Sequence, residues 1–409
     1  MYRYGKEEIE AATKVLRTGQ WFRFGAPRTR HLREAYKFEA AWARAMGVKH
    51  TLFCCSGTAA LQCAYAGLEV GPGDEVIIPG FTWIASACAP LGMGAIPVIV
   101  DVDESLMMDP DAIEKAITPR TKVIDPVHMS GLMCDMDRIM KIARKHKLLV
   151  VEDACQCDGG YWKDGRRAGA IGQAGAYSFN WYKVISCGDS GAFVTNDREA
   201  FERGVQYHNG GEGLLPGGRK LSIPPFAGGT LRGNEILAAI MRVQLGRLSG
   251  IIRDLHRVRA RISRQIEGAP GVRQIPYNGG DTGTGAHLGL RFADERQARA
   301  FVAAFRAHAG GKGVSAWLPI DSGRHVCWNW EAVLAKRGAW CEAANPYEHP
   351  ANAASRVSYS KEMLPKTLAI LKRTVLIGMN PDWTTRQVDG VARAIVVAAR
   401  RVDAGPADG

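Results

Sequence analysis

A lysine and an aspartate stand at the ends of two apolar runs, and each could take part in acid–base chemistry. Asp153 closes the run LLVVED, where burial of its carboxylate is costly unless a cation or a hydrogen-bond donor meets it. Lys183 follows the run AYSF and precedes the glycine-containing segment SCGDSGA. A lysine in a pocket can lose its proton and form a Schiff base with a carbonyl group. Taken singly, Asp153 could equally cap a helix and Lys183 could be a solvated surface cation.

Two further features could hold a flat, phosphorylated ligand. Gly57 and Thr58 come just after the run HTLFCC, so their backbone N–H groups would open the next helix and could bind an anion. Trp83 could stack on a heterocycle. A phosphate cradle, an aromatic plate, a strand-end acid and a lysine together match the needs of pyridoxal 5′-phosphate. In this interpretation Asp153 keeps the ring nitrogen protonated, and Lys183 holds the aldehyde and then shuttles a proton.

The elements that must position these residues follow a strand–helix rhythm. Seven short apolar runs are predicted to be strands, at residues 50–55, 75–79, 95–102, 122–127, 148–153, 176–179 and 192–195. Helix-compatible segments separate the earlier runs, including DMDRIMKIARKHK with Asp135 as its candidate N-cap. This alternation predicts an α/β fold with a mainly parallel, seven-stranded sheet flanked by helices. Ligands of such sheets bind outside the carboxyl ends of the strands, where the residues named above would meet.

The rhythm stops near residue 205, and a different organisation follows. Residues 208–229 are rich in Gly and Pro, as is typical of a long functional loop, and a helical pattern over 234–266 is interrupted by a glycine near 250. Strand-like and helix-like segments then mix, at residues 285–292, 294–309, 375–380 and 384–402. We therefore predict a large cofactor-binding domain with an N-terminal arm over residues 1–250 and a smaller α/β domain over 251–409.

Composition and charge exclude several classes of protein. The chain has 409 residues, 46% of them hydrophobic, which excludes a disordered or fibrous protein. It has no run of 18 apolar residues, and its first residues lack the apolar centre of a signal peptide, so we expect a cytoplasmic protein without membrane contact. The net charge of +12 is spread along the chain without a nucleic-acid-binding motif, which favours small anionic partners over nucleic acid.

The ten cysteines give no sign of a disulfide framework or a structural metal site. They are scattered, and none forms a CxxC motif. Cys155 and Cys157 are the one pair close enough along the chain to chelate, and two thiols alone are weak grounds for a metal. We therefore predict that the site holds no metal.

Several stretches also carry a resemblance to a known family: CSGTAALQCA, PGFTWIASA, PVHMSGLMCDMDRI, VVEDACQCDGG and YSFNWYKVISCGDSGAFVTND. The sequence resembles the sugar aminotransferases of the DegT/DnrJ/EryC1/StrS group, which are pyridoxal-phosphate enzymes of fold type I. The resemblance extends over roughly residues 1–250 and more loosely to the C-terminus. It implies that Lys183 binds the cofactor's aldehyde, that Asp153 pairs with the pyridine nitrogen, and that Gln156 hydrogen-bonds the phenolic oxygen.

The resemblance implies roles for other residues as well. Gly57 and Thr58 would bind the cofactor phosphate with backbone N–H groups and Ser178 with its hydroxyl, while Trp83 would stack on the ring. A neighbouring subunit would complete each site, which implies a homodimer with shared active sites. Where the family has the partner's phosphate-binding Asn, this chain has Thr230, which can still donate a hydrogen bond and stays among the candidates.

His128 and Asp135 also match family positions. A strand-end hydrogen bond for His128 and a helix cap for Asp135 are at least as good an interpretation as catalysis, so neither is placed in the catalytic set.

The resemblance implies an aminotransferase that moves an amino group from glutamate or glutamine to a ketosugar or keto-cyclitol. The segment GQWFRFG, residues 19–25, resembles the early loop of members that aminate inososes. One alternative is a sugar dehydratase of the same fold, although such relatives carry His in place of Lys183. Others are an aromatising dehydratase that keeps the lysine, as in aminohydroxybenzoate formation, and a non-catalytic binding protein. The acceptor pocket is expected from residues 208–230 and 315–350.

Overall fold

The seven predicted strands form one sheet. A computed structural model describes residues 2–25, 29–211, 221–309 and 314–403. The strands of the large sheet are β1 His50–Cys54, β2 Glu75–Pro79, β3 Ile96–Val100, β4 Thr121–Ile124, β5 Leu149–Asp153, β6 Ala174–Ser178 and β7 Gly191–Thr195. Their order is β1-β7-β6-β5-β4-β2-β3. Six strands share one direction, and β7 runs antiparallel to both of its neighbours. The predicted mainly parallel sheet is confirmed.

Helices cover both faces of this sheet, which explains why its strands lack polar alternation. Every residue of β2, β6 and β7 is buried. The first helices of the chain are α1 Lys6–Leu16, α2 Glu34–Met46, α3 Gly57–Gly67, α4 Ala85–Gly92, α5 Pro110–Ala116, α6 Met136–His146 and α7 Arg198–His208. The predicted cap of α6 is confirmed, because the Asp135 carboxylate accepts the N–H of Arg138.

A single long helix, α8 Glu235–Ile266, leads from the large sheet to the rest of the chain. The predicted interruption near residue 250 is wrong, since α8 runs unbroken through Gly250. A helical glycine costs only about 1 kcal/mol relative to alanine, and α8 packs against α1, α2 and the last helix of the chain. The proposed domain boundary at residue 250 lies inside α8, and the division into two domains stays a prediction.

A second, smaller sheet follows α8. It is antiparallel, in the order β8-β10-β9, with strands β8 His287–Arg291, β9 Ala316–Trp317 and β10 Thr374–Gly378. The remaining helices are α9 Glu295–Ala309, α10 Glu331–Leu334, α11 Pro365–Lys372 and α12 Thr385–Asp403. Seven short 3₁₀ helices are also described, at Met129–Gly131, Pro319–Asp321, Gly323–His325, Cys327–Asn329, Glu342–Ala344, Pro346–Glu348 and Pro350–Asn352. Within the described ranges, no helix is long and apolar enough to cross a lipid bilayer.

Candidate active site

The carboxyl ends of three parallel strands bring the predicted site residues to one edge of the large sheet. β1 ends at Cys54 just before Gly57, β5 ends at Asp153 itself, and β6 ends at Ser178. The segment after β6 carries Lys183. Sheet topology therefore collects residues that are far apart in sequence, as the strand–helix pattern predicts.

The start of α3 forms a cradle for an anion. Ser56 caps the helix, with its hydroxyl oxygen 3.1 Å from the backbone nitrogen of Ala59. The N–H groups of Gly57 and Thr58 donate to no acceptor among the residues that the structure describes. A Cβ atom on Gly57 would lie only 2.8 Å from the Cβ of Ser178 and 2.9 Å from the Sγ of Cys155, so a larger residue does not fit without movement. Free N–H groups at a helix N-terminus, with a serine alongside, suit a phosphate.

Asp153 is buried, with only 4% of its surface exposed, and both of its carboxylate oxygens accept hydrogen bonds. Oδ1 lies 3.0 Å from the backbone nitrogen of Cys155, and Oδ2 lies 3.0 Å from the hydroxyl oxygen of Ser86. The Ser86 hydroxyl lies in turn 2.8 Å from that of Thr82. These contacts hold the carboxylate in one orientation. Sequence reasoning missed Ser86, whose only local signal is a hydroxyl four residues after that of Thr82, near the start of α4.

The charge of Lys183 affects the pKa values of two neighbouring acidic groups, those of Cys155 and Asp158. Its backbone N–H donates to the Asn180 carbonyl at 3.1 Å, which fixes the turn that carries it. Burial and the Asp153 charge raise the pKa of the Cys155 thiol, and the Lys183 ammonium opposes that rise. Burial likewise raises the pKa of the fully buried Asp158 carboxyl, again against the Lys183 charge. Lys183 therefore lies on the turn that follows β6, beyond the strand end at Ser178.

Gln156 and Trp83 lie on two loops around the same edge. The Gln156 amide oxygen accepts the N–H of Ser130 at 3.0 Å, which leaves its amide nitrogen without an acceptor among the described residues. Gln156 can therefore donate to a phenolic oxygen, as predicted. Trp83 is 43% exposed, and its ring centroid lies 5.1 Å from that of His325. An exposed tryptophan can stack on a heterocycle, and the cofactor role of both residues stays a prediction.

Thr230 is exposed on a segment that runs along the end of β1. It pairs with Asn209, and the carbonyl of the next residue, Leu231, accepts the N–H of Cys55 at 2.8 Å. This places Thr230 at the surface near the cradle of its own chain. Its assignment to a partner subunit's cofactor stays a prediction.

His128 has a structural role that matches its exclusion from the catalytic set. Its Nδ1 accepts the N–H of Cys134 at 3.2 Å, so its Nε2 carries the proton and donates to Glu152 at 3.0 Å. Glu152 also accepts backbone N–H groups of the segment 169–172. This fully buried pair holds the loop between β5 and β6 in place.

Cys155 and Cys157 lie in different surroundings. The Cys155 sulfur lies beside Gly57, whereas the Cys157 sulfur is buried 3.8 Å from the sulfur of Met133. Across the described part of the chain, no three His, Cys, Asp or Glu side chains cluster in a way that could hold a metal ion.

Comparisons with known proteins show what this chain is similar to. A 3-amino-5-hydroxybenzoate synthase of Amycolatopsis mediterranei (strain S699) is 38% identical over 248 residues, which are 60% of this chain and 61% of that protein. An L-glutamine:2-deoxy-scyllo-inosose aminotransferase of Streptomyces lividus is 35% identical over 289 residues, which are 68% of this chain and 65% of that protein. The matched segments thus span less than two thirds of these relatives.

Solved structures extend the likeness over the whole chain. The crystal structure of 3-amino-5-hydroxybenzoic acid synthase superposes with a TM-score of 0.79 at 29% identity, covering 98% of each chain. The family model for the DegT/DnrJ/EryC1/StrS aminotransferase family matches residues 3–319, which is most of the chain. The chain therefore belongs to the DegT/DnrJ/EryC1/StrS aminotransferase family.

Proposed function

We propose that this protein is a pyridoxal-phosphate-dependent aminotransferase that moves an amino group from glutamate or glutamine to a ketosugar or keto-cyclitol. The observation that carries the proposal is the meeting, at one sheet edge, of an open anion cradle at Gly57 and Thr58, a hydrogen-bonded buried acid at Asp153, and Lys183. Family membership supports the reaction. The ketone named for the Streptomyces lividus relative supports the class of acceptor.

The residues present fit the cofactor. Gly57 leaves the space that a Cβ atom would fill beside Ser178, and the free N–H groups of α3 suit its phosphate. When bound, pyridoxal 5′-phosphate supplies an aldehyde that takes up the amino group and a ring that withdraws electrons from the reacting carbon. Asp153 would hold the proton on the ring nitrogen, since its carboxylate is already fixed by Ser86 and Cys155.

Lys183 would perform the proton transfers. Its Nζ would remove the proton from the carbon that bears the donor's amino group, and later deliver a proton to the acceptor carbon that receives this group. The partial exposure of Lys183 leaves it accessible to both substrates. The same side chain would therefore serve the two half-reactions.

We propose further that the protein is a homodimer with shared active sites. Trp181 and Tyr182, which precede Lys183 directly, are 55% and 89% exposed. Such aromatic side chains beside a catalytic lysine are typical of a surface that a partner covers. Thr230 would then reach the partner's cofactor phosphate from its exposed segment.

We propose that the protein acts in the cytoplasm. All ten cysteines are free, and even the buried Cys54 and Cys63, whose sulfurs lie 4.0 Å apart, are not joined. Free thiols in this number suit a reducing compartment.

The alternative function is that of an aromatising dehydratase, which would also use Lys183. No described residue favours dehydration over transamination. The two activities differ in their reactants, because dehydration alone consumes no amino donor.

The test is a pair of separate half-reactions on the purified protein loaded with pyridoxal 5′-phosphate. We expect a yellow protein in which borohydride attaches the cofactor to the tryptic peptide containing Lys183, as read by mass spectrometry. Glutamate or glutamine should then bleach the unreduced protein, and a keto-cyclitol should restore its colour. A protein that stays colourless, or that glutamate and glutamine both leave yellow, would contradict the proposal.

A further inference from the structure

The loop that carries Trp83 is joined to a distant segment by backbone hydrogen bonds. The N–H of Thr82 donates to the carbonyl of His325 at 2.9 Å, and the N–H of Cys327 donates to the carbonyl of Gly80 at 3.0 Å. Phe81 and Val326 form the antiparallel bridge between them. The segment 319–330, made of three consecutive 3₁₀ helices, is therefore held against the edge of the sheet that carries the candidate active site.

Within this segment, the His325 side chain is held in one orientation. Its Nδ1 lies 3.0 Å from the Ser322 carbonyl, which can only accept, so Nδ1 carries the proton. Its ring lies against Trp83, with centroids 5.1 Å apart and planes at 55°. The Trp330 indole N–H donates to the Arg324 carbonyl at 2.8 Å and fixes the adjoining backbone.

The Nε2 of His325 is consequently a hydrogen-bond acceptor with a free lone pair. Among the residues that the structure describes, no group donates to it. Burial lowers the pKa of His325, the hydrogen bond to the Ser322 carbonyl opposes this, and the Lys183 charge lowers the pKa further. A rigid acceptor thus stands beside Trp83, at the edge of the sheet that carries the candidate active site.

We propose that His325 is a specificity-determining residue whose Nε2 accepts a hydrogen bond from a hydroxyl group of the keto acceptor. This inference rests on the proposed function and deepens it, because it names the feature of the acceptor that the enzyme recognises. Neither glutamate nor glutamine carries a hydroxyl, so a contact selective for hydroxyl groups serves the second half-reaction. A site built to accept from a hydroxyl discriminates against ketones that lack one.

The experiment compares the two half-reactions in His325→Phe, which keeps a ring beside Trp83 and removes the acceptor nitrogen. The probes are glutamine for the first half-reaction, and 2-deoxy-scyllo-inosose and cyclohexanone for the second. We expect His325→Phe to lower kcat/KM for the inosose by about tenfold, the size of one lost hydrogen bond. The rates with glutamine and with cyclohexanone should be unchanged, and His325→Gln, which keeps an acceptor oxygen, should restore part of the loss.

A matched control is His308→Phe on α9. His308 also bonds a backbone carbonyl through Nδ1, at 2.7 Å from Ala304, and it is exposed. This variant should leave all three rates at the wild-type value, and thermal denaturation should show that both variants fold.

Three results would overturn the inference. One is an equal loss of rate with glutamine and with both ketones in His325→Phe, which would indicate a merely structural role. Another is an unchanged rate with the inosose. The last is a wild-type protein that aminates cyclohexanone as fast as it aminates the inosose. If the wild-type protein does not react with glutamine or glutamate at all, the proposed function itself fails, and this inference fails with it.

Discussion

The two sides of the candidate site are built in different ways. The proposed cofactor side, called the cofactor side below, consists of Gly57, Thr58, Asp153, Ser178 and Lys183, which follow or close strands of the large sheet. The proposed acceptor side consists of the segment 319–330, which contains three short 3₁₀ helices and no strand. The first side is positioned by a buried ladder of backbone hydrogen bonds, and the second by a few bonds between two loops.

This difference separates shared chemistry from substrate choice. Strand ends in a buried sheet can hardly move, so they suit residues that must keep one geometry towards a cofactor. Loops tolerate changes in sequence and length, so they suit residues that recognise one substrate among many. We therefore expect substitutions on the cofactor side to affect both half-reactions, and substitutions on the acceptor side to affect only the second.

The largest effect is expected for Lys183→Ala. Without Nζ as the proton-transfer group, both half-reactions should slow on the order of 10³-fold, the usual contribution of a general acid–base. Single-turnover absorbance measurements with glutamine and with a keto-cyclitol would measure this. Lys163→Ala is the control, because Lys163 is a surface residue paired with Asp137 at 2.6 Å. A variant that loses only one half-reaction would break the comparison between the two sides.

A smaller effect is expected for Gly57→Ala. The added Cβ would press on Ser178 and Cys155, at 2.8 and 2.9 Å, and crowding of this kind costs about 1–3 kcal/mol. The dissociation constant of pyridoxal 5′-phosphate should rise by a factor on the order of 10 to 100, as measured by fluorescence titration. Gly390→Ala in α12, where a Cβ meets no atom within 4 Å, should leave cofactor affinity unchanged. Equal affinity in Gly57→Ala and wild type would rule out this cradle as the phosphate site.

Ser86→Ala should have a moderate effect on both half-reactions. It removes the hydroxyl 3.0 Å from Asp153 Oδ2, and loss of one hydrogen bond to a buried carboxylate corresponds to about a tenfold slower rate. Ser355→Ala is the matched control, because Ser355 also donates to a carboxylate, that of Glu75 at 2.7 Å, at the opposite end of the sheet. Steady-state kcat/KM for each substrate, which reports the half-reaction of that substrate, would show whether Ser86 acts through Asp153. A loss confined to the acceptor half-reaction would place Ser86 on the acceptor side instead.

The smallest effect near neutral pH concerns His208 and the pH dependence of the free energy of unfolding. His208 is buried, its Nε2–H donates to the Phe53 carbonyl in β1 at 3.0 Å, and burial lowers its pKa to about 3. An unfolded histidine titrates near 6.5, so below about pH 6.5 the unfolded state binds more protons and stability falls as the pH drops towards 3.

His208→Gln cannot titrate, so its melting temperature should fall less between pH 7 and 5 than that of the wild type. Calorimetry at a series of pH values would measure the slope. His308→Gln, on the surface of α9, should keep the wild-type slope. If His208→Gln also keeps that slope, protonation of His208 does not contribute to the acid sensitivity of the cofactor side.

Much of the cofactor side was predictable from the sequence, because its signals are local. Gly57 is recognisable as the opening of a helix after a buried run, and Asp153 as the last residue of such a run. The partners of these residues were not predictable, since they come from elsewhere along the chain. Ser86 is 67 residues away from the carboxylate that it contacts, and no local spacing reveals that contact. The unbroken course of α8 through Gly250 likewise depends on tertiary packing.

The amino-acid sequence by itself determined the seven strands, their mainly parallel arrangement and the order of the motifs. These features were predictable because burial patterns and helix starts depend on residues that are close together in the sequence. Only the tertiary structure decided that His325 lies against Trp83. The physical reason is that the segment 319–330 has no regular periodicity. Its position depends on backbone hydrogen bonds to Gly80 and Thr82, which form only once the sheet has been assembled.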